Sequence, residues 1–307
     1  MAKTPHSPAP TASTPRCRCS LCTYCNRRWC TSIPFCCKPS GGPAVLDTGM
    51  KGRVVLVTGA SKGIGAATAR AFGAEQARVA ITYHTDRAGA EVVALSVEAA
   101  GGEAMVVPLR LGDANTAAAA VGAVTERWGD IEALVANAVD WGGDGPPDPS
   151  VRFEDVSLDH WHRMIGANLI GTVAVIRSVL PGMRRKGWGR VVLISSSVAE
   201  EGIPGPGPYG TAKSSLYGLS RSLAWEGGRD GILVNVVAPG FTLTESRAAF
   251  PGALIDKLAA GTPTRRLSDP DDVARLIVFL GSDANRNLTG EVLREGSSSA
   301  RAPHAGG

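Results

Sequence analysis

A glycine-rich turn between two patterned segments constrains this chain of 307 residues most strongly. Residues 53–58 read RVVLVT, a β-branched run that is typical of a strand buried on both faces. Glycines follow at positions 59, 63 and 65, and residues 66–74 then have a helical, alanine-rich pattern. A strand, a glycine turn and a helix N-terminus form a phosphate cradle, because the glycines let the backbone approach and free N–H groups face the anion. A tight turn without a ligand has the same local pattern.

Strand-like and helical segments alternate through the rest of the chain. Further apolar runs lie at residues 78–83, 104–108, 131–136, 191–195 and 232–238, and a long helix is predicted over residues 159–185. Alternation of this kind predicts an α/β fold: a doubly wound, Rossmann-type, seven-stranded and mostly parallel sheet with helices on both faces. In such a fold the loops at the carboxyl ends of the strands form the binding crevice.

The charge distribution separates an N-terminal extension from the remainder. Residues 1–49 hold six of the 32 Lys and Arg residues but one of the 28 acids, which leaves 26 bases and 27 acids elsewhere. A body without a basic surface is not expected to bind nucleic acid. Hydrophobic residues make up 44% of the chain, yet no apolar run approaches the ~20 residues that span a bilayer. We therefore expect no membrane partner and a cytoplasmic location.

All seven cysteines lie within that basic extension. The spacing of Cys19, Cys22 and Cys25 is compatible with zinc or an iron–sulfur cluster, but Cys30 does not fall where the bacterial ferredoxin pattern places its fourth ligand. The favoured interpretation is a disordered extension or translated upstream sequence, with Met50 as the natural start and no metal site. The predicted organisation is an extension over residues 1–49, a domain over residues 50–295 and a polar tail over residues 296–307.

A tyrosine and a lysine four residues apart are the candidate catalytic residues. Tyr209 and Lys213 follow Pro208 in a predicted helix, where positions four apart share a face. A nearby cation lowers the phenol pKa from its usual value of about 10, so the tyrosine can transfer a proton near neutral pH. Serines at residues 195–197 end the preceding strand and are expected to meet this pair. Alone, such a pair is more often a solvated helix face; the glycine turn upstream favours the chemical interpretation.

The chain resembles the short-chain dehydrogenase/reductase family over roughly residues 51–294. The turn TGASKGIG is similar to the family's TGxxxGxG, and Tyr209 with Lys213 is similar to its catalytic YxxxK. The family's serine lies thirteen residues before the tyrosine, at Ser196, and the segment GANLIGT places the active-site asparagine at Asn168. Over VVLVTGASKGIG, PYGTAK and VNVVAPGF the chain is most similar to 3-oxoacyl-acyl-carrier-protein reductases.

The resemblance also implies a set of cofactor-binding residues. They are Gly59, Ser61, Lys62, Ile64, Gly65, Arg87, Leu111, Asn137, Ala138, Tyr209, Lys213, Pro239, Gly240, Thr242 and Thr244. An NAD enzyme usually has an acid at the end of its second strand to bind the ribose 2′-hydroxyl, but Tyr83 stands there. Lys62 and Arg87 are cations that can meet a 2′-phosphate, although each also fits a solvated surface. Together these residues favour NADP(H).

Several positions depart from the family. Arg110 stands where many relatives have an aspartate that accepts from the adenine amine, and arginine has only donors. Val139 replaces the last glycine of the family's NNAG, and Gln76 replaces a helix-ending glycine. The Gly/Pro-rich loop of residues 141–150 is expected either to shape the substrate site or to be a variable surface connection, two interpretations of equal weight. Residues 245–262 are expected to include a mobile helix over the substrate.

The resemblance implies an oxidoreductase that reduces a carbonyl, in a 3-oxoacyl thioester or a similar ketone, by hydride transfer from NADPH. In relatives the tyrosine at position 209 donates the proton, and the lysine at 213 lowers the phenol pKa and binds the nicotinamide ribose. Ser196 is expected to hold the substrate oxygen, and Asn168 to support a water relay. A role in fatty acid or polyketide biosynthesis and a homo-oligomer, dimer or tetramer, are implied. The alternative is a catalytically inactive or sensing cofactor-binding module on the same scaffold.

Overall fold

The apolar run before the glycine turn forms an inner strand of a seven-stranded sheet. This strand is β1 (Val54–Val57), and it is buried along its whole length. The other strands are β2 (Arg78–Tyr83), β3 (Glu103–Pro108), β4 (Ala133–Ala136), β5 (Gly189–Ile194), β6 (Ile232–Pro239) and β7 (Val292–Glu295). Their order is β3-β2-β1-β4-β5-β6-β7, and every pairing within the described part of the chain is parallel. The predicted doubly wound α/β fold is confirmed.

The structure is a computed structural model that describes residues 47–142, 145, 148, 150–202, 204–205, 207–245 and 250–296. The predictions about the cysteine-rich extension up to residue 46 and about the tail from residue 297 lie outside the described residues. The α-helices are α1 (Gly63–Ala74), α2 (Arg87–Ala99), α3 (Ala114–Trp128), α4 (Leu158–Ile165), α5 (Thr172–Lys186), α6 (Val198–Glu201), α7 (Gly207–Gly227), α8 (Gly252–Ala260) and α9 (Pro270–Leu280).

Helices cover both faces of the sheet and enclose two apolar cores. Residues of α3, α5 and α7 pack in one core, and residues of α1, α2 and α9 pack in the other. Neighbouring residues of β1 enter opposite cores: Leu56 lies with α3 and α5, whereas Val55 and Val57 lie with α1 and α9. A strand that is covered on both faces has no solvent side, which explains why the sequence there is uniformly apolar rather than alternating.

The long helix predicted over residues 159–185 is a helical segment with an irregular centre. A π turn at Gly166–Gly171 joins α4 to α5. Such turns are frequent at functional sites, and this one contains Asn168. The apolar pattern of the sequence extends across the whole segment, so it predicts a helix without reporting the irregular turn.

The same segment, Leu158–Lys186, is long and apolar enough to cross a membrane by length and composition, with a mean hydropathy of 1.5. The core helix of a soluble protein passes the same test, and 39% of its apolar window is buried within this fold. Val175, Ile176 and Val179 belong to the core shared with α3, which accounts for part of its apolar character. The absence of a membrane partner stays a prediction.

Residues 47–50 are held against the domain that follows them. The Thr48 carbonyl oxygen accepts a hydrogen bond from the Asp283 N–H at 2.9 Å. The Gly49 carbonyl oxygen accepts one from Arg53 Nε, also at 2.9 Å. Met50 is 1% exposed, and its side chain packs in the core that contains α1. The contacts of the domain therefore begin a few residues before position 50.

Gln76 lies in the left-handed conformation that the sequence comparison with the family predicts for this position. Its φ is 60°, and its N–H donates to the Gly73 carbonyl oxygen at 2.9 Å at the end of α1. Its own carbonyl oxygen accepts from the Gly52 N–H at 2.9 Å. A side chain in this conformation costs roughly 1 kcal/mol, which a domain of this size tolerates.

Candidate active site

Close backbone approaches account for the glycines of the turn. Gly59 and Gly63 have φ values of 62° and 58°, a region that favours glycine. A Cβ on Gly59 would lie 2.8 Å from the Cα of Ala138, and a Cβ on Gly65 would lie 2.6 Å from Asn137 Nδ2. The turn can therefore lie against the exit of β4 only because these positions have no side chain.

Asn137 and Thr58 bind the turn to the exit of β4. Asn137 Nδ2 donates to the carbonyl oxygens of Thr58 and Gly59, both at 3.0 Å. The Thr58 hydroxyl oxygen accepts from the N–H groups of Asn137 and Ala138, also at 3.0 Å. Asn137 and Ala138 were predicted to lie beside the cofactor. Thr58 was not singled out as a site residue, although it is the first letter of the TGxxxGxG motif.

The glycine turn lies where the order of the strands reverses, and its helix already binds an anionic group. β1 has β2 on one side and β4 on the other, which opens a crevice at their carboxyl ends. The N–H of Gly63, the first residue of α1, donates to Glu245 Oε2 at 3.0 Å. A backbone N–H that donates to a carboxylate here can also donate to the diphosphate of a dinucleotide, because both anions are bound by hydrogen-bond donors. Sequence reasoning missed Glu245, whose only signal was its position after Thr244.

The loop after β6 lies against the glycine turn. Pro239 ends β6, and the Gly240 N–H donates to the Glu295 carbonyl oxygen of β7 at 2.7 Å. Thr242 is 2% exposed, and its hydroxyl donates to the Gly240 carbonyl oxygen at 3.3 Å. A Cβ on Gly63 would meet the Thr244 methyl group at 3.2 Å. The predicted cofactor residues of this loop and those of the turn are thus brought together. Residues 246–249 of the predicted mobile segment lie outside the described residues, and α8 follows them.

The two cations assigned to a 2′-phosphate are both exposed. Lys62 is the N-cap residue of α1, and Arg87 is the first residue of α2, shortly after Tyr83. Arg87 Nε lies 2.8 Å from Glu91 Oε1, one turn along the same helix. Both cations therefore lie near the carboxyl ends of β1 and β2. A phosphate that bound Arg87 would have to share its guanidinium group with Glu91.

The other predicted cofactor residues differ in their exposure. Ser61 and Ile64 are half-buried in the turn, and Arg110 is exposed after β3. Leu111 is 8% exposed and packs in the core that contains α3. Little of the Leu111 side chain is therefore available to an adenine ring.

Tyr209 and Lys213 share one face of α7. The Lys213 ammonium lies 5.9 Å from the centroid of the Tyr209 ring. Lys213 is 3% exposed, and its Nζ donates to the Ile194 carbonyl oxygen at 2.9 Å. The Ser195 hydroxyl in turn donates to the Lys213 carbonyl oxygen at 2.9 Å. These two hydrogen bonds fasten α7 to the exit of β5.

Burial lowers the pKa of Lys213 from 10.5 to about 8. Removal from water disfavours the charged form of an ammonium group, and one carbonyl oxygen compensates only part of that loss. At pH 7 the group still carries its proton most of the time. Tyr209 therefore has a buried cation beside it, as the spacing of the two residues predicts.

The three serines after β5 have different surroundings. Ser195 is 4% exposed and its hydroxyl is bound to Lys213. Ser197 is 8% exposed and precedes α6. Ser196 is half-buried, and its Oγ accepts from the Val198 N–H at 3.3 Å. Of the three, Ser196 has the hydroxyl that a substrate can reach most easily, and it is the one that the family spacing indicates.

Asn168 fixes the exit of β4. Its Oδ1 accepts from the Asp140 N–H at 3.0 Å, and its Nδ2 donates to the Asp140 carbonyl oxygen at 2.8 Å and to the Met164 carbonyl oxygen at 3.0 Å. The residue is 3% exposed, and its own carbonyl oxygen accepts from the Thr172 hydroxyl at 2.7 Å. The side chain is thus fully engaged by protein groups. The water relay predicted for Asn168 stays a prediction.

An aromatic side chain that the sequence placed only in a variable loop lies over Tyr209. The ring centroids of Trp141 and Tyr209 are 4.9 Å apart and their planes are inclined by 34°. Both residues are half-buried. Trp141 follows Asp140 directly, so Asn168 holds the backbone that carries it. The exits of β4 and β5 and the first turn of α7 therefore meet at the phenol of Tyr209.

This arrangement combines a glycine turn at a helix N-terminus with a phenol beside a buried ammonium group, at the carboxyl ends of parallel strands. Within the described residues no group of three or more His, Cys, Asp or Glu side chains is placed to hold a metal ion. The fold and the site define the class of nucleotide-dependent α/β oxidoreductases, in which the cofactor brings the redox chemistry and the protein orients the reactants.

Comparison with known proteins agrees with this class. Residues 59–294 match the family model described as enoyl-(acyl carrier protein) reductase. The 3-oxoacyl-[acyl-carrier-protein] reductase of Pseudomonas aeruginosa is 35% identical over 78% of this chain and 94% of its own length. The cis-4-hydroxycyclohexanecarboxylate dehydrogenase of Sinomonas cyclohexanicum is 34% identical over 78% of this chain and 94% of its own. Among solved structures, levodione reductase superposes with a TM-score of 0.75 at 28% identity, over 82% of this chain and 99% of its own.

The chain belongs to the short-chain dehydrogenase/reductase family, and it is similar to the 3-oxoacyl-acyl-carrier-protein reductases within it. The expectation from the sequence motifs is confirmed at this level. Members of the family are oxidoreductases that use nicotinamide cofactors.

Proposed function

We propose that this protein reduces a carbonyl group, in a 3-oxoacyl thioester or a similar ketone, to a hydroxyl by hydride transfer from NADPH. The observation that carries the proposal is the pairing of Tyr209 with the buried ammonium of Lys213 on α7. A half-buried phenol next to a buried cation is suited to general acid catalysis near neutral pH, because the cation favours the phenolate that remains after proton transfer.

Tyr209 is the proton donor in this proposal. A bound nicotinamide cofactor would supply the hydride for the carbonyl carbon. The phenol of Tyr209 gives its proton to the carbonyl oxygen as negative charge develops there. The positive charge of Lys213, 5.9 Å from the ring centroid, favours the resulting phenolate and so lowers the energy of the proton transfer. Ser196 donates a hydrogen bond to the same carbonyl oxygen and orients it.

Lys213 has a second task, which its hydrogen bonds permit. An ammonium group has three donors, and the Ile194 carbonyl oxygen uses one of them. The remaining donors are assigned to the hydroxyls of the nicotinamide ribose and to proton resupply. Asn168 supports this resupply by keeping the exit of β4 in place beside the phenol.

The preference for NADPH rests on residues near the ends of β1 and β2. Tyr83 ends β2 without an acid that would repel a 2′-phosphate, and Lys62 and Arg87 are exposed cations at this edge. The test compares kcat/KM with NADPH and NADH for the parent protein and for Arg87→Ala, with Arg127→Ala on α3 as the control. We expect NADPH to be preferred, and the preference to decrease in Arg87→Ala alone. A parent protein that prefers NADH contradicts the assignment.

The proposed setting is the cytoplasm, with a small-molecule or carrier-bound ketone as partner and neither nucleic acid nor membrane. We also propose a homo-oligomer, a dimer or tetramer, since large apolar side chains are exposed on the described helical segments: Leu158 is 73% and Ile170 58% exposed. Light scattering of the purified protein measures the mass directly. A monomer at micromolar concentration contradicts this part of the proposal.

The function itself is tested by NADPH oxidation, followed by absorbance, with a panel that contains acyl thioesters, β-keto esters and cyclic ketones. We expect turnover with at least one class of ketone. A protein that binds NADPH tightly but oxidises it with no member of the panel supports the alternative, an inactive or sensing module. A protein that binds no nicotinamide cofactor contradicts both.

A further inference from the structure

The side chain that lies over Tyr209 is held more firmly than a loop residue usually is. The backbone of Asp140, which precedes Trp141, makes two hydrogen bonds with the Asn168 side chain, at 3.0 and 2.8 Å. The Asp140 carboxylate accepts from the Gly142 N–H at 2.8 Å, which closes a turn around the backbone of Trp141. The backbone that carries Trp141 is therefore held in place, and the contact of the indole with the Tyr209 ring makes it a wall of the site.

This wall limits what can bind next to the reacting oxygen. The indole centroid lies 4.9 Å from the Tyr209 ring, at an inclination of 34°. A ketone whose oxygen hydrogen-bonds to the phenol can bring one substituent of its carbonyl carbon against the indole, because the two rings are in contact. A flat or cyclic substituent can contact the indole with its whole face and loses little conformational freedom there. An unbranched acyl chain has to order several single bonds to make the same contact.

We propose that Trp141 is a specificity-determining residue that selects ketones whose carbonyl lies in or beside a ring over unbranched ketones. This inference rests on the proposed carbonyl reduction and narrows its substrate class from 3-oxoacyl thioesters and similar ketones to ketones with a ring. It agrees with the similarity to a dehydrogenase named for a hydroxycyclohexanecarboxylate, although that name describes the relative. Asn168 acts here as a positioning residue, because it reaches the substrate only through the backbone of Asp140.

The experiment compares a ring ketone with a chain ketone on the same protein. The probes are 4-oxocyclohexanecarboxylate and 2-tetralone as ring ketones, and acetoacetyl-CoA and ethyl acetoacetate as chain ketones. The ratio of kcat/KM between the two kinds is measured for the parent protein, Trp141→Ala, Trp141→Phe and the control Trp225→Ala, which changes an indole that is 91% exposed. A ratio within one variant cancels any loss of folded protein.

We expect the parent and Trp225→Ala to favour ring ketones, by roughly two- to tenfold if one aromatic contact sets the ratio. Trp141→Ala is expected to bring the ratio close to one, mainly through a higher KM for the ring ketones, and Trp141→Phe to keep most of the preference. A ratio that is the same in the parent and in Trp141→Ala overturns the inference while carbonyl reduction stands. A parent protein that reduces none of the four ketones overturns the proposed function and this inference with it.

Discussion

The burial of Lys213 gives a prediction about stability that is independent of any substrate. The pKa of its ammonium falls from 10.5 to about 8 in the fold because burial removes it from water. A difference of about 2.5 between the two pKa values corresponds to roughly 3 kcal/mol of destabilisation at pH 7. Lys213→Met keeps an unbranched side chain that is one atom shorter, and it removes the charge. It also removes the hydrogen bond to Ile194, which is worth about 1 kcal/mol. The cofactor-free variant is therefore expected to be about 2 kcal/mol more stable at pH 7.

The pH dependence of this difference has a definite sign. Below pH 8 the lysine is protonated in both the folded and the unfolded chain, and the whole cost of burial is present. Between pH 8 and pH 10.5 the unfolded chain binds the proton that the folded chain has lost, so the stability of the parent rises with pH. The advantage of Lys213→Met is therefore expected to be largest at pH 7 and to shrink as the pH rises through this window.

The assay is denaturant unfolding of the cofactor-free proteins at pH 7.0 and pH 9.5, with Lys51→Met as the control for an exposed lysine. The control is expected to change the free energy of unfolding by no more than about 0.5 kcal/mol at either pH. A Lys213→Met variant that is less stable than the parent at pH 7, or whose advantage does not depend on pH, refutes the picture of a buried ammonium.

Three further perturbations test other parts of the structure. Glu245→Gln removes the carboxylate that competes with the cofactor for the first N–H of α1. A fluorescence titration is expected to show a Kd for NADPH that is about two- to fivefold lower, whereas the control Glu291→Gln, at an exposed position, is expected to leave the Kd unchanged. An unchanged or higher Kd in Glu245→Gln contradicts the competition. Replacing Gln76 by glycine relieves a residue with a φ of 60° and is expected to raise the free energy of unfolding by up to about 1 kcal/mol; a decrease contradicts this reasoning. A chain that begins at Asp47 is expected to fold and reduce ketones like the full chain. A chain that begins at Lys51 also lacks Met50 and is expected to lose about 2–5 kcal/mol of its free energy of unfolding. If the chain that begins at Asp47 loses activity and the full chain contains bound zinc or iron, a metal site in the extension is favoured.

Much of the fold was predictable from the sequence because its signals are local. Within the run RVVLVT, the four residues of β1 are all apolar because this strand is covered on both faces, and the run was therefore recognisable as a buried strand. The glycines of the turn also predicted it, since the structure leaves no room for a Cβ at Gly59 or Gly65. The irregular turn around Asn168 was not predictable, because an apolar pattern has no signal for it.

The candidate site was predictable only where its residues fall within a short motif. Tyr209 and Lys213 are four apart on one helix, so their spacing alone placed them on one face. Trp141 and Glu245 reach the site from loops that follow β4 and β6, and their contacts join residues that are far apart in the sequence. A periodic pattern of apolar residues contains no information about such long-range contacts. Leu111 was expected beside the adenine, which stays a prediction; its exposure of 8% is a property that its position in the motif did not indicate.

The most direct test of the account is the turnover of Tyr209→Phe with NADPH bound. The substitution removes a hydroxyl and keeps the ring that packs against Trp141, so cofactor affinity is expected to match that of the parent. General acid catalysis is typically worth about 10²–10⁴ in rate, and kcat for ketone reduction is expected to fall by at least 10²-fold. Lys213→Ala is expected to lower kcat and weaken NADPH binding together, and Ser196→Ala to impair turnover more than affinity. A Tyr209→Phe variant that binds NADPH normally and reduces ketones at nearly the parent rate contradicts the assignment of Tyr209 as the proton donor.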